Sequence, residues 1–315
     1  MRAALILLMF FAATGARAQE QDFSKVGVKS TPLTANLHML QGAGGNVAAL
    51  VGSSGGVLLV DADFGAIADK MRAALKADGA SGPVRYVINT HYHFDHTDGN
   101  LAFAQGGATI IAQTNLRTRL ASGGTIGGGS ITRTVPPADP GALPGITYES
   151  ELTVYLDGTA VRVHHYPRAH TDGDSVVFFP AAHVVHMGDI FVRYGFPFID
   201  TNGGGNVRGM IAACEDVLST SPADTRVIPG HGAVATLDDL RTYTQMLKDT
   251  SALVAKAMAA GKSLDAMKSE KLLGAWSARY SPEKGFVNTD TFTELLYASL
   301  SLPAARHGPA RRPHP

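Results

Sequence analysis

Cysteine is nearly absent from this sequence: Cys214 stands alone among 315 residues. A single thiol cannot close an internal disulfide, so the fold must be held by core packing and not by a covalent framework. Cys214 sits in VRGMIAACEDVLST with Met210, Ile211 and Leu218 at helical core spacing, which predicts a buried, inert thiol. A charge excess is missing too. Lysine plus arginine and aspartate plus glutamate both number 27, for a net charge of zero. Nothing global draws the chain to nucleic acid or to an anionic membrane. No run of 18 apolar residues follows the N-terminal segment, so no membrane span is expected in the mature chain. No tandem repeat is visible, which excludes a solenoid. There is no GxSxG sequence and no cysteine–histidine pair, which removes the usual serine and cysteine nucleophiles.

What is present is a globular composition, 45% hydrophobic and 17% charged. Residues 1–18 (MRAALILLMFFAATGARA) read as a secretory signal peptide: Arg2, an apolar run from Ala3 to Thr14, and a small-x-small pattern at Ala16-Arg17-Ala18. The expectation is a periplasmic or secreted protein starting near Gln19. Residues 19–302 read as one domain with C-terminal helices, and 303–315, rich in Pro, Arg and Ala, as a disordered tail.

Short β-prone runs come first: Leu37–Leu40, Val47–Val51, Val57–Val60, Val84–Asn89 and Ala108–Ala112. Helical spacing marks Ile67–Lys76 and Asn115–Leu120. Ser122–Ser130 (SGGTIGGGS) is too rich in glycine to predict a regular element; it reads as a surface loop or a flap over a site. Strands resume at Leu152–Leu156, Ala160–His164, Ser175–Phe179, His183–His186 and Arg226–Ile228. Helices are expected at Val207–Leu218, Leu237–Ala260 and Thr291–Leu302. Strands and helices, then strands and helices again, predict two αβ halves packed sheet to sheet.

Twelve histidines are present. His91-Tyr92-His93-Phe94-Asp95-His96 directly follows an apolar strand. Alternate residues leaving a strand point the same way, so His91 and His93 can grip one metal, while Asp95 and His96 can turn to a neighbour. Imidazole with carboxylate suits Zn(II). His170 in AHTDGDS, Asp189 in HMGDIF and His231 in IPGHG are likewise polar residues just past apolar strands. His38 and His164 lie within strands and His307 and His314 in the tail. His165, His183 and His186 read as hydrogen-bonded structural histidines.

HYHFDH, AHTDGDS, Gly188-Asp189 and PGHG, in that order, resemble the metallo-β-lactamase superfamily over roughly residues 35 to 235. The resemblance implies an α/β fold, a four-layer αββα sandwich with the site at one edge of its two sheets. It implies two Zn(II) per chain. His91, His93 and His170 would take one; Asp95, His96 and His231 the second, with Asp189 bridging. Asp61 in VDADF resembles the family's strand-end aspartate and would hold a ligand in place. Two departures matter. Zinc β-lactamases proper are expected to carry cysteine or serine where Asp189 stands. AHTDGDS has Ala169 for a glycine and an additional Asp174, which changes the loop around His170.

The activity implied is hydrolysis of a small ester, lactone, thioester or amide, β-lactams included, by a hydroxide bridging the metals, with Asp95 orienting it. Arg193, Tyr194, Phe196 and Phe198 in IFVRYGFPFID are candidates for the substrate pocket, the arginine for a carboxylate and the aromatics for an apolar wall. The competing reading is an exported accessory protein that binds a metal or cofactor without turnover. The partner expected is a small-molecule substrate, not nucleic acid and not a membrane.

Overall fold

A computed structural model describes residues 22–281 and 286–302. The expected leader and tail lie outside these described residues. The first sheet is built from β1 (Lys29–Pro32), β2 (Leu37–Gln41), β3 (Val47–Val51), β4 (Val57–Val60), β5 (Val84–Ile88) and β6 (Thr109–Gln113). Between them run helices α1 (Ala68–Ala77), α2 (Phe94–Thr97) and α3 (Asn100–Gln105), and α4 (Thr114–Ser122) follows. A separate hairpin, β7 (Gly124–Gly128) with β8 (Ile131–Val135), precedes β9 (Ile146–Tyr148), which closes the first sheet beside β6. The second sheet takes β10 (Glu151–Leu156), β11 (Thr159–His165), β12 (Ser175–Phe179), β13 (Val184–His186), β14 (Arg226–Ile228) and β15 (Ala235–Thr236) in sequence order. Helix α5 (Val207–Thr220) connects β13 to β14, and α6 (Leu237–Ala259), α7 (Leu264–Ser269), α8 (Gly274–Tyr280) and α9 (Thr289–Ser301) end the described chain.

Side-chain alternation assigns the layers. Along β3, Val47, Ala49 and Val51 pack outward with Ile67, Met71 and Leu75 of the α1 region and Phe103 of α3. Ala48 and Leu50 point inward, with Leu58, Val60, Ile88 and Ile111, against Val161, Val163, Val177 and Ile228 of the second sheet. On β12 and β13, Val176 and Val185 leave that inner layer and meet Met210, Cys214, Leu240 and Leu247 of α5 and α6. Each of the buried valines, leucines, isoleucines and methionines among these contributes roughly 1.5–3 kcal/mol on leaving water. The order helix, sheet, sheet, helix is therefore fixed by a period of two in strands that are apolar on both faces. Cys214 is buried, and burial pushes its thiol up to about 12, as its inert reading requires. No helix among the described residues is long and apolar enough to cross a membrane.

The glycine-rich segment departs from expectation. It is half of a regular hairpin, with Thr125 opposite Thr134 and Ile126 opposite Arg133. The returning strand, ITRTV, supplies the β-branched residues that the glycines lack. The glycines are needed for close approach: a Cβ on Gly127 would lie 2.6 Å from the Ile131 carbonyl oxygen, and one on Gly128 2.6 Å from that of Ile199.

Candidate metal centre

The strand ends of both sheets deliver seven polar side chains to one place. Residues 91–96 leave β5, His170 stands between β11 and β12, Asp189 follows β13, and His231 follows β14. Three overlapping groups have ligand atoms close enough to share an ion: His91, His93 and His170; His91, His96 and Asp189; Asp95, His96 and His231. His93 Nδ1 and His170 Nε2 are 3.0 Å apart. His96 Nε2 lies 3.4 Å from His231 Nε2, and Asp95 Oδ2 lies 3.2 Å from the same His231 nitrogen. Asp189 stands between the groups. Its Oδ1 is 3.3 Å from His96 Nε2 and 3.5 Å from His231 Nε2, while its Oδ2 is 3.9 Å from His170 Nε2.

The outward faces of the imidazoles show which nitrogen carries the proton. A carboxylate or carbonyl oxygen only accepts, so the ring nitrogen opposite it must be the N–H. His96 Nδ1 donates to Asp61 Oδ2 at 2.8 Å, and His170 Nδ1 to the Phe198 carbonyl at 2.9 Å. His93 Nε2 donates to Asp200 Oδ2 at 2.9 Å. The Thr90 hydroxyl gives its proton to Asp61 at 2.8 Å and so accepts from His91 Nδ1 at 3.1 Å. In each neutral ring the inward nitrogen is then a lone pair. The His93 and His170 lone pairs, 3.0 Å apart, repel unless a cation lies between them. His91 Nε2 and Asp189 Oδ1 are buried without a hydrogen-bond partner, although His96 Nε2 and His231 Nε2 lie 3.3 and 3.5 Å from that oxygen. Orphaned acceptors converging in this way fit metal ions.

Asp61 carries more of this arrangement than a strand-end cap would. Its backbone is left-handed, with φ of 68°, and its side chain also accepts the Thr90 amide at 2.7 Å. It thus holds His96 directly and His91 through Thr90. Asp174 pins the loop before β12: it accepts the Thr171 amide and hydroxyl at 2.8 and 2.7 Å, so the additional aspartate shapes the turn that presents His170. A Cβ on Gly45 would fall 2.1 Å from His96 Cε1, and one on Gly230 1.9 Å from Asp189 Oδ1; glycine lets backbone lie against both ligands.

The charges divide the cluster. Burial, reinforced by His93, lowers His170 to about 4, so it is neutral at pH 7. Burial would lower His231 as well, but Asp189 and Asp95 outweigh it and raise it to about 9. Burial opposes ionisation of Asp95, yet His96 and His231 bring it down to about 2. Asp200 stays ionised because the hydrogen bonds from His93 and Tyr92 outweigh its burial.

The expected pocket residues fare unevenly. Tyr194 lies edge-on to His231, with ring centroids 5.6 Å apart, and is half-buried. Phe198 is 5.9 Å from both His93 and His170 and meets the exposed Phe286 at 5.7 Å. Phe196 does not face the site: it is fully buried and stacked on Phe292 at 4.3 Å. Its placement is corrected to the core beneath α9. Arg193 is corrected too. Its guanidinium donates to the Val234 carbonyl at 2.9 Å and lies 3.6 Å from Asp239, so it is engaged away from the ligands. His186 bridges backbone, with Nε2 3.0 Å from the Asn46 carbonyl, and His165 and His183 contact Asp174 and Asp224. Thr90, Asp200 and the Gly42–Gly45 loop are parts of the site that sequence reading does not single out.

Comparison with known proteins bears on the fold and the family. The hydroxyacylglutathione hydrolase of Polaromonas sp. (strain JS666 / ATCC BAA-500) is 32% identical over 150 residues, which are 47% of this chain and 48% of that protein. The chain thus spans about half the length of this curated relative. The DIM-1 metallo-beta-lactamase superposes with a TM-score of 0.59 at 16% identity, covering 71% of this chain and 99% of that one. The metallo-beta-lactamase from Pontibacter korlensis gives 0.58 at 15%, covering 70% and 99%. At such identities these structures speak for the fold alone. The family described as the metallo-beta-lactamase superfamily matches residues 42–231, a span that begins at the glycine loop beside Asp63 and ends on His231. With its sandwich, its ordered strand-end histidines and aspartates and this match, the chain belongs to the metallo-beta-lactamase superfamily.

Proposed function

We propose that this superfamily hydrolase is a dinuclear zinc enzyme that cleaves a small acyl substrate: an ester, lactone, thioester or amide. The observation that carries the reading is the convergence of imidazole nitrogens and carboxylate oxygens on two groups that share Asp189. His91, His93 and His170 would hold one ion, Asp95, His96 and His231 the other, and Asp189 would offer one oxygen to each. Zn(II) held there would supply Lewis acidity, lowering the pKa of water from about 15.7 toward about 7 and polarising a carbonyl oxygen. Asp95, ionised and half-exposed, accepts a hydrogen bond from the attacking water and orients it. Tyr194, edge-on to His231, and Phe198, beside His93 and His170 and in contact with the exposed Phe286, bring aromatic surface to the ligands, suited to an apolar acyl or leaving group. The name of the curated relative, hydroxyacylglutathione hydrolase, denotes hydrolysis of an acyl compound and supports this class.

A panel of chromogenic ester, thioester, lactone and cephalosporin substrates tests the reading. The zinc-loaded protein is expected to hydrolyse at least one, to lose that activity with a chelator, and to regain it with zinc. No turnover of the whole panel, or turnover indifferent to the chelator, would leave an accessory metal-binding protein as the better account.

A further inference from the structure

The buried carboxylate of Asp200 has no place in the ligand set, yet four donors converge on it. Its Oδ2 accepts the Tyr92 hydroxyl and His93 Nε2, the latter at 2.9 Å. Its Oδ1 accepts the amides of Gly127 and Gly203 at 2.9 and 2.7 Å. Asp200 is fully buried, so these contacts are not shared with water. Its main chain reaches a second ligand, since the Asp200 amide donates to the His170 carbonyl at 3.0 Å. Two residues earlier, the Phe198 carbonyl takes the proton of His170 Nδ1. Residues 198–200 therefore touch both His93 and His170 from behind.

We propose that Asp200 is the positioning residue of the triple-histidine group, fixing the His93 ring with its proton on Nε2 and its lone pair on Nδ1. The inference rests on the reading of His93 as a metal ligand. A neutral histidine divides its proton between two nitrogens, and only the Nε2–H form presents Nδ1 beside His170 Nε2. Asp61 does the same for His96 on the opposite flank and reaches His91 through Thr90, so His93 and His96 each have their own outer carboxylate. The local sequence leaves room for little else. A Cβ on Gly203 would come within 2.3 Å of Asp200 Oδ2 and 2.6 Å of the Tyr92 hydroxyl. The Gly127 amide belongs to β7, so the same carboxylate ties the glycine-rich hairpin to a ligand of the site.

The test uses the full chain, with Asp200→Ala, Asp200→Asn and Tyr92→Phe beside the wild type. Zinc is titrated in competition with a chromophoric chelator, and histidine tautomers are read from nitrogen NMR of the metal-free proteins. The expected result for Asp200→Ala is a 10- to 100-fold weaker triple-histidine site, the range for loss of such an outer partner, with the other site within about twofold. His93 should move from a single Nε2–H form to a mixture. Tyr92→Phe removes one donor, leaves the His93 contact, and should bind zinc like the wild type. If the alanine chain does not fold, isosteric Asp200→Asn carries the same expectation, since it loses the charge that selects the tautomer. An unchanged tautomer with unchanged affinities would overturn the proposal, as would equal weakening of both sites, the mark of a loop anchor only. A wild type that binds no zinc overturns the metal reading, while the His93 tautomer in that same protein still decides whether Asp200 positions the ring.

Discussion

Asp189→Asn is expected to strip the Asp95/His96/His231 group of its metal, to leave the His91/His93/His170 metal in place, and to lower turnover by at least about tenfold. The reason is geometric. One oxygen of Asp189 faces His96 and His231, and the other faces His170. An amide keeps one good ligand oxygen and loses the negative charge that both cations would share. The triple-histidine group survives because its three imidazoles do not depend on Asp189 for their outer hydrogen bonds, which run to Thr90, Asp200 and Phe198. Metal titration with kinetics on both proteins reads the effect. A variant that keeps both metals at unchanged affinity and full rate would make Asp189 a turn residue and withdraw the bridging assignment.

Between pH 9 and pH 6 the Asp95/His96/His231 group should lose up to about a thousandfold in metal affinity, while the triple-histidine group changes far less. A histidine binds metal only when neutral, so a proton held with a pKa of about 9 competes at every lower pH, by up to about tenfold per unit for one proton. His170, at about 4, pays no such penalty above pH 5. The sign reverses for the metal-free fold. The folded value of His231 is above the unfolded value of about 6.5, so its contribution to stability is complete below pH 6.5 and fades as pH rises through 9. Metal affinity should therefore climb with pH over the same interval in which metal-free stability declines. Zinc titrations and thermal melts at pH 6, 7, 8 and 9 distinguish this from a site whose two metals leave together.

Much of this was legible in the residues. HYHFDH announces itself because four ligand-type side chains in six positions follow an apolar strand, and the later ligands each sit where an apolar run stops. The layers were legible for the same reason, since Val47–Val51 and Val57–Val60 are apolar at every position and so must be covered on both faces. Three features were not. The hairpin at Gly124–Gly128 hides because its strand propensity resides in its partner, Ile131–Val135, and its glycines answer to neighbours distant in sequence. Arg193 and Phe196 follow the site's Asp189 closely, but the chain turns between them, sending one to the Val234 carbonyl and the other under α9. Asp200 reads as one more loop aspartate before three glycines; only the fold brings it to His93, 107 residues away.

The claim most exposed to measurement is that two groups, not one, hold metal. Elemental analysis of protein purified without chelator and supplemented with zinc should find close to two metals per chain, separated by about 3.5–4 Å as in other two-metal sites when the loaded protein is examined by X-ray absorption. A content near zero, or one that stays at a single ion under zinc excess at pH 9, would contradict the account.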